Sequence, residues 1–415
     1  MSFAKRKRSG RSRTRESIRA AGLALRASAG VACALVASAG CKAKHDARDD
    51  ASTPRDAAPS DAGVPWPELE ELPHVQPARV VPLPVQAKTP RFDIGGPVVA
   101  GEVAVVSSSQ FGFLAIDYRR GQIAWSKPAG LHVAPPLARR SDVVLIGDCV
   151  TPPDVPDGER LLGCLRVVTP TGADQGYVAV HGRDVDAFAT SAGPQATWSS
   201  GDRTITWRRG DQAIAIDVVT GVATPAPTAD PPLVIHYKER TWQITRGDDG
   251  EIAATEKGKP AWSTKRPYTA LIGAVHLPDQ VPTVRVARAG AFAGHPEVMI
   301  FDLDATGSMN GSVALPVPGI QLWSHAIDAV GDTALAIRLD ASLERDFIVG
   351  YAANALIMWV YELPHQPRAD AVGLAIAPDA VIAFHDGDTL TVLPELSAPP
   401  TAPGAVRVPS ENATP

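Results

Sequence analysis

The residues of this 415-residue chain whose chemistry could be more than structural are its four cysteines, its ten histidines and a handful of acidic turns. Two cysteines fall in the central part. Cys149 follows the apolar run Val143–Ile146, and Cys164 lies within the next run, Leu161–Leu165. Neighbouring strands would place these thiols side by side, which predicts a disulfide in an oxidising compartment; in a reducing one the same positions would hold two buried thiols. A zinc site needs four ligands, and these cysteines have no partners at suitable spacing. The histidines are scattered, with no H-x-x-x-H or H-E-x-x-H unit; His236 and His385 fall on expected strands. No nucleophile elbow and no Walker-type loop is present. Asp302-Leu303-Asp304-Ala305-Thr306-Gly307 has the alternating oxygens of a calcium loop, but Val313 stands where the closing bidentate Glu would be. A self-capped hairpin turn is the expected structure there, and likewise at Gly247–Glu251 and His385–Asp388. These residues therefore predict no catalytic residue, no metal and no cofactor.

Charge is distributed unevenly. Nine of the 40 Lys/Arg and one of the 45 Asp/Glu precede Cys41, so the remainder carries 31 basic against 44 acidic residues, a net of −13. An acidic domain is a poor partner for phosphate backbones, which excludes nucleic acid as the expected ligand. Residues 1–26 form a basic stretch, and Ala27–Ala37 is apolar but shorter than the about 20 residues that a membrane span requires. This pattern reads as a signal peptide over 1–40. It ends in Val36-Ala37-Ser38-Ala39-Gly40-Cys41, which resembles a bacterial lipobox; Ser38 stands where that family prefers Leu, and Ala37-Ser38-Ala39 also meets the ordinary signal-peptidase rule. The resemblance implies acylation of Cys41 and a place in the cell envelope, with Lys42 matching lipoproteins sent to the outer membrane. Simple secretion or a soluble periplasmic form is the alternative. Residues 41–90, rich in Ala, Asp and Pro, read as a disordered linker that tethers a folded domain to the anchor; residues 398–415 read as a disordered tail.

From residue 91 to 397 the pattern changes to short apolar runs with period-two alternation, separated by Gly and Asp turns. Examples are Gly112–Asp117, Val143–Ile146, Ala213–Asp217, Val298–Leu303 and Ala380–His385, and Leu343–Tyr361 reads as core strands. No long stretch has helical periodicity. An all-β architecture is expected, as a sandwich, a barrel or a propeller. A repeat favours the propeller. Ala115-Ile116-Asp117-Tyr118-Arg119-Arg120-Gly121-Gln122-Ile123-Ala124-Trp125 recurs in part as Ala215-Ile216-Asp217-Val218-Val219-Thr220-Gly221, with weaker copies at Ile300–Gly307 and Glu256–Trp262. In such a hairpin the small Ala admits a neighbour, Asp hydrogen-bonds the turn, Gly takes a positive φ, and Trp covers the gap between blades.

The repeat of Ala115, Asp117, Gly121 and Trp125, with Ala215, Asp217 and Gly221, resembles the pyrroloquinoline-quinone-type propeller pattern, approximately A-x-D-x-x-T-G-x-x-x-W. Gly96–Ser107 and Pro135–Gly147 look like the opening strands of such blades. The resemblance implies a β-propeller of about seven or eight four-stranded blades over 91–397. Quinoprotein dehydrogenases of this type are larger and many carry a vicinal cysteine pair, absent here. Lipid-anchored relatives of this size resemble the outer-membrane assembly lipoprotein, which implies a non-enzymatic scaffold that binds another envelope protein. The Pro-rich loop Pro152–Glu159 is a candidate contact. A cofactor- or metal-binding propeller using its central channel, quinoprotein-like, is the alternative, and a carbohydrate- or metal-binding surface module is a third.

Overall fold

Strands whose two faces are both apolar must be covered twice, and the chain meets that demand by stacking sheets around a ring. The computed structural model describes residues 71–84 and 94–396, apart from 109, 131–132, 140, 152, 184–195, 202, 210–211, 228–230, 279, 293–294, 314–316, 320, 341–344 and 365–371. Cys41, the signal segment and residues 398–415 lie outside them. The described residues are all-β, with no α-helix among them. They form seven antiparallel sheets in sequence order, each of four strands, the fifth with one added short strand. Blades 1 to 6 span 94–127, 137–182, 196–225, 233–263, 270–313 and 321–362, and blade 7 spans 373–394. Within a blade the strands are lettered a to d from the centre outward. The expected seven-bladed propeller is the fold.

Blade 7 is completed by the other end of the chain. Its outermost strand is Arg79–Pro82, paired antiparallel with Thr389–Pro394 through Arg79↔Val392 to Pro82↔Thr389. Just upstream, Val75 N donates to Val360 O (3.0 Å) and Val360 N donates to Pro73 O (2.8 Å), so the same segment runs along the outer strand of blade 6. Leu72, Val81 and Leu83 are buried. This corrects the linker boundary: residues 71–84 belong to the propeller. Their prolines are tolerated because an edge strand leaves one side of its backbone unpaired. A latch reinforces the closing joint between blades 7 and 1. Asp379 accepts from Tyr118 Oη (3.1 Å) and Arg119 Nε (2.7 Å), while Arg119 Nη1 reaches Glu102 (2.9 Å). Burial and the Asp379 carboxylate push the Tyr118 phenol up to about 12, and the Arg119 guanidinium holds Asp379 below the usual carboxylate range.

Apolar residues weld neighbouring blades. One cluster joins blades 1 and 2 through Val105, Phe113, Val143 and Leu145, and another joins blades 7 and 1 through Ile382, Phe384, Ile116 and Val106. Trp125, expected to cover a gap between blades, does so, and Trp359, expected only as a core-strand residue, does the same. Trp125 on strand d of blade 1 donates from Nε1 to Pro170 O in blade 2 (2.8 Å), and Trp359 of blade 6 donates to Glu395 O beyond blade 7's third strand (3.4 Å). Each pairs with a small residue on strand c: Trp125↔Ala115, Trp262↔Ala254 and Trp359↔Gly350. The small partner leaves room for the indole to lean onto the next blade.

A buried guanidinium fastens blade 5 to blade 6. Arg285 is 0% exposed. Its Nε and Nη2 bind both oxygens of Asp302 at 2.9 Å, and its remaining donors reach Gly331 O (2.6 Å), Thr333 Oγ1 (3.0 Å) and Ala353 O (2.7 Å). All five N–H groups are satisfied, as a buried charge requires. Replacing Arg285→Met strands the Asp302 carboxylate, and urea unfolding should lose about 3–5 kcal/mol; adding Asp302→Leu should recover part of that loss, because the unpaired charge is gone.

Candidate functional site

In the D-x-D-x-T-G segment, Asp302 is bound to Arg285 inside the protein, whereas Asp304 turns outward and accepts from Thr306 N (2.7 Å), Thr306 Oγ1 (2.6 Å) and Ser308 N (3.2 Å). The two carboxylates face different partners, so they do not converge on one ion. Asp249 likewise accepts from Glu251 N (3.0 Å), and Asp388 from Thr389 Oγ1 (2.8 Å). His385 is buried between Asp386 and Thr391. No group of three or more His, Cys, Asp or Glu is placed to hold a metal among the described residues.

The repeat residues occupy the hairpins between strands c and d of blades 1 and 3. Ala115 is fully buried, and Gly121 and Gly221 have φ of 70° and 75°, a conformation open to Gly at little cost. Asp117 accepts from Arg120 N (2.9 Å). Asp217 accepts from Thr220 N and Val219 N (both 2.9 Å) and from Arg203 Nε (2.6 Å). These donors, Thr220 N foremost, lower the Asp217 carboxyl from 3.8 to about 2. The motif is thus structural in both copies.

His236 and His325 lie on the innermost strands of blades 4 and 6 and are exposed. His236 Nδ1 contacts Thr241 Oγ1 at 3.0 Å. Burial by the surrounding protein pushes the His325 imidazole below its ordinary value, even though part of the residue is open to solvent.

The most developed surface feature is on blade 2. Cys149 and Cys164 are joined by a disulfide across a sequence separation of 15, as their flanking runs predicted. Cys164 is on the strand Arg160–Val168, where it pairs with Gly147. Between the cysteines runs the Pro-rich loop, fixed at its far end by Glu159, whose carboxylate contacts His181 Nδ1 and lies 3.4 Å from Arg183 Nε. Beside the disulfide is a shallow hollow, open to solvent, with a cavity volume of about 10 Å³, lined by Phe113 and Ala129 of the blade 1 side and by Asp148, Val150, Arg166 and Tyr177 of blade 2. Val150 is 59% exposed and Tyr177 43%. The Arg166 guanidinium stacks 5.1 Å from the Tyr177 ring centroid. Pockets for small molecules typically enclose about 300–1,000 Å³. This hollow is far below that range, with room for about one water, so it is a dimple in an exposed surface and not a small-molecule pocket.

No protein-family model matches this chain, and no curated protein matches it. Solved structures do. The designed Ika8 protein is 12% identical with a TM-score of 0.36, the match covering 75% of this chain and 99% of that one. BamB from Moraxella catarrhalis is 12% identical with a TM-score of 0.39 over 76% and 96%. The WD40 β-propeller domain of Doa1 is 10% identical with a TM-score of 0.41 over 77% and 96%.

Asp217 provides a pH test. Its folded value is below its free value, so its contribution is complete above about pH 4 and fades as pH falls through about 2. Asp217→Asn should therefore cost about 1 kcal/mol at neutral pH, and the difference from wild type should close as chemical denaturation is repeated at falling pH.

Proposed function

We propose that this chain is a membrane-tethered, non-enzymatic propeller that binds another protein of the cell envelope. The anchor in this reading is an acylated Cys41, followed by the Ala/Asp/Pro-rich linker. The binding site is the hollow between blades 1 and 2 with the disulfide-bonded loop at its rim. One observation carries the reading: exposed Val150, on a loop held at both ends by Cys149–Cys164 and by Glu159 with His181, and exposed Tyr177, on the strand Asp174–Gly182, flank a shallow surface hollow. A loop fixed in advance loses little entropy on binding. Aromatic and Arg side chains are the usual energetic anchors of interfaces, and Tyr177 and Arg166 are already stacked here. Rigid blades presenting variable loops suit such a role.

Affinity capture from detergent-solubilised envelope tests it. Wild type should retain a specific protein that Val150→Asp and Tyr177→Ala lose by at least about tenfold, the effect of removing about 1.4 kcal/mol. Equal recovery with these variants would place the contact elsewhere, and recovery of nothing would argue against a scaffold. Separately, Cys41→Ala should move the protein from the membrane to the soluble fraction; a variant that stays with the membrane rules out the lipid anchor.

A further inference from the structure

Six of the seven joints between blades are filled by a buried apolar cluster, and among the described residues the joint between blades 3 and 4 has none. Blade 3 directs Ile205, Trp207, Ile214 and Ile216 at blade 2, and blade 4 directs Trp242, Ile244, Ile252 and Ala254 at blade 5. Strand alternation then turns Thr206, Arg208 and Ala215 of blade 3 toward Thr241, Gln243 and Thr245 of blade 4. Gln243 and Thr245 are exposed although they lie on the second strand from the centre. The same strand position in blades 1 and 7 is buried from end to end, at Val103–Ser108 and Ala380–His385.

A second observation agrees. The turn between strands c and d of a blade receives the outer strand of the blade before it. At Gly172 of blade 2 an added Cβ would lie 2.6 Å from Trp125 of blade 1, and at Gly307 of blade 5 it would lie 2.6 Å from Trp262 of blade 4. At Gly258, in the corresponding turn of blade 4, a Cβ would meet nothing within 4 Å. The cause is in the sequence of blade 3. Its outer strand Ala223–Pro225 carries Thr224 opposite Ala215, in the register where blade 1 has Trp125 opposite Ala115.

We propose that the joint between blades 3 and 4 is a water-filled seam at which the ring opens, built by omission of the tryptophan that covers the corresponding gap after blades 1, 4 and 6. The strand pair that joins the two chain ends in blade 7 is not the weak joint. It has its own apolar cluster and the Tyr118–Arg119–Asp379 latch.

Thiol labelling of the full chain tests this, read peptide by peptide so that other cysteines do not contribute. Thr206→Cys and Thr245→Cys should react with a bulky maleimide under native conditions at least about 100-fold faster than Ser107→Cys, a buried near-isosteric control facing blade 2. Adding Thr224→Trp should supply the missing cover, slow labelling at Thr245→Cys about tenfold and raise the melting temperature by about 2–4 °C. If Thr224→Trp does not fold, Gln243→Leu with Thr245→Val replaces it, with the same rise expected and labelling read at Thr206→Cys. Seam cysteines as protected as the control, or a filling variant that folds but changes neither labelling nor melting, overturns the proposal.

Discussion

A four-stranded blade cannot bury both of its own faces, and the rest of the structure depends on that constraint. Strands such as Val103–Ser108 and Ala380–His385 are buried throughout, so each needs a neighbour on both sides. Seven blades supply one another's cover only when the ring closes. Closure here uses the two ends of the chain: Arg79–Pro82 completes the sheet begun near residue 373. The segment at 72–75 also binds the outer strand of blade 6, so one short stretch holds blades 6 and 7 together. Fraying of that stretch would expose apolar surface on two blades at once, which explains why residues in a proline-rich region are nonetheless buried.

Polar groups inside the ring serve the same end. Arg285 ties its own blade to the turns of blade 6, and Asp379 ties blade 7 to blade 1. The acidic turns cap themselves. Carboxylates that resemble ligand sets in the sequence are therefore already engaged by backbone N–H groups or guanidinium donors. The disulfide-bonded loop and its hollow lie among the loops and blade edges, the parts of a rigid scaffold that commonly carry binding residues.

Much of this was legible in the sequence because it is local. A c–d hairpin is written within about ten residues, so Ala115, Asp117, Gly121 and Trp125 announced a blade, and the runs around Cys149 and Cys164 announced neighbouring strands. The closing strand was not legible, since Val80 and Val81 find their partners about 310 residues away, at Thr391 and Leu390, and their local context is Pro-rich. Nor was the pairing of Arg285 with Asp302: an Arg inside T-V-R-V-A reads as an outward residue until the sheet on its far side is known. The candidate hollow joins Phe113 to Tyr177, a juxtaposition that only the packing of blade 1 on blade 2 creates.

The unfilled joint is an intermediate case. Thr204–Arg209 and Arg240–Arg246 alternate polar and apolar residues, as half-wet strands do, whereas the equivalent strands of blades 1, 2 and 7 are nearly continuous apolar runs. The pattern alone says that one face of each is wet; which face, and that the two wet faces oppose each other, comes from the blade order. Apolar burial contributes about 25 cal/mol per Å², so a joint that forgoes it rests on the continuity of its neighbours. A ring with one such joint is stiff where six clusters hold it and compliant at one place, across from the strand that closes it. The N-terminal segment meets blade 6 first, at residues 73–75, and then blade 7, at Arg79–Pro82. The polar seam is the joint that can part without exposing a buried apolar cluster.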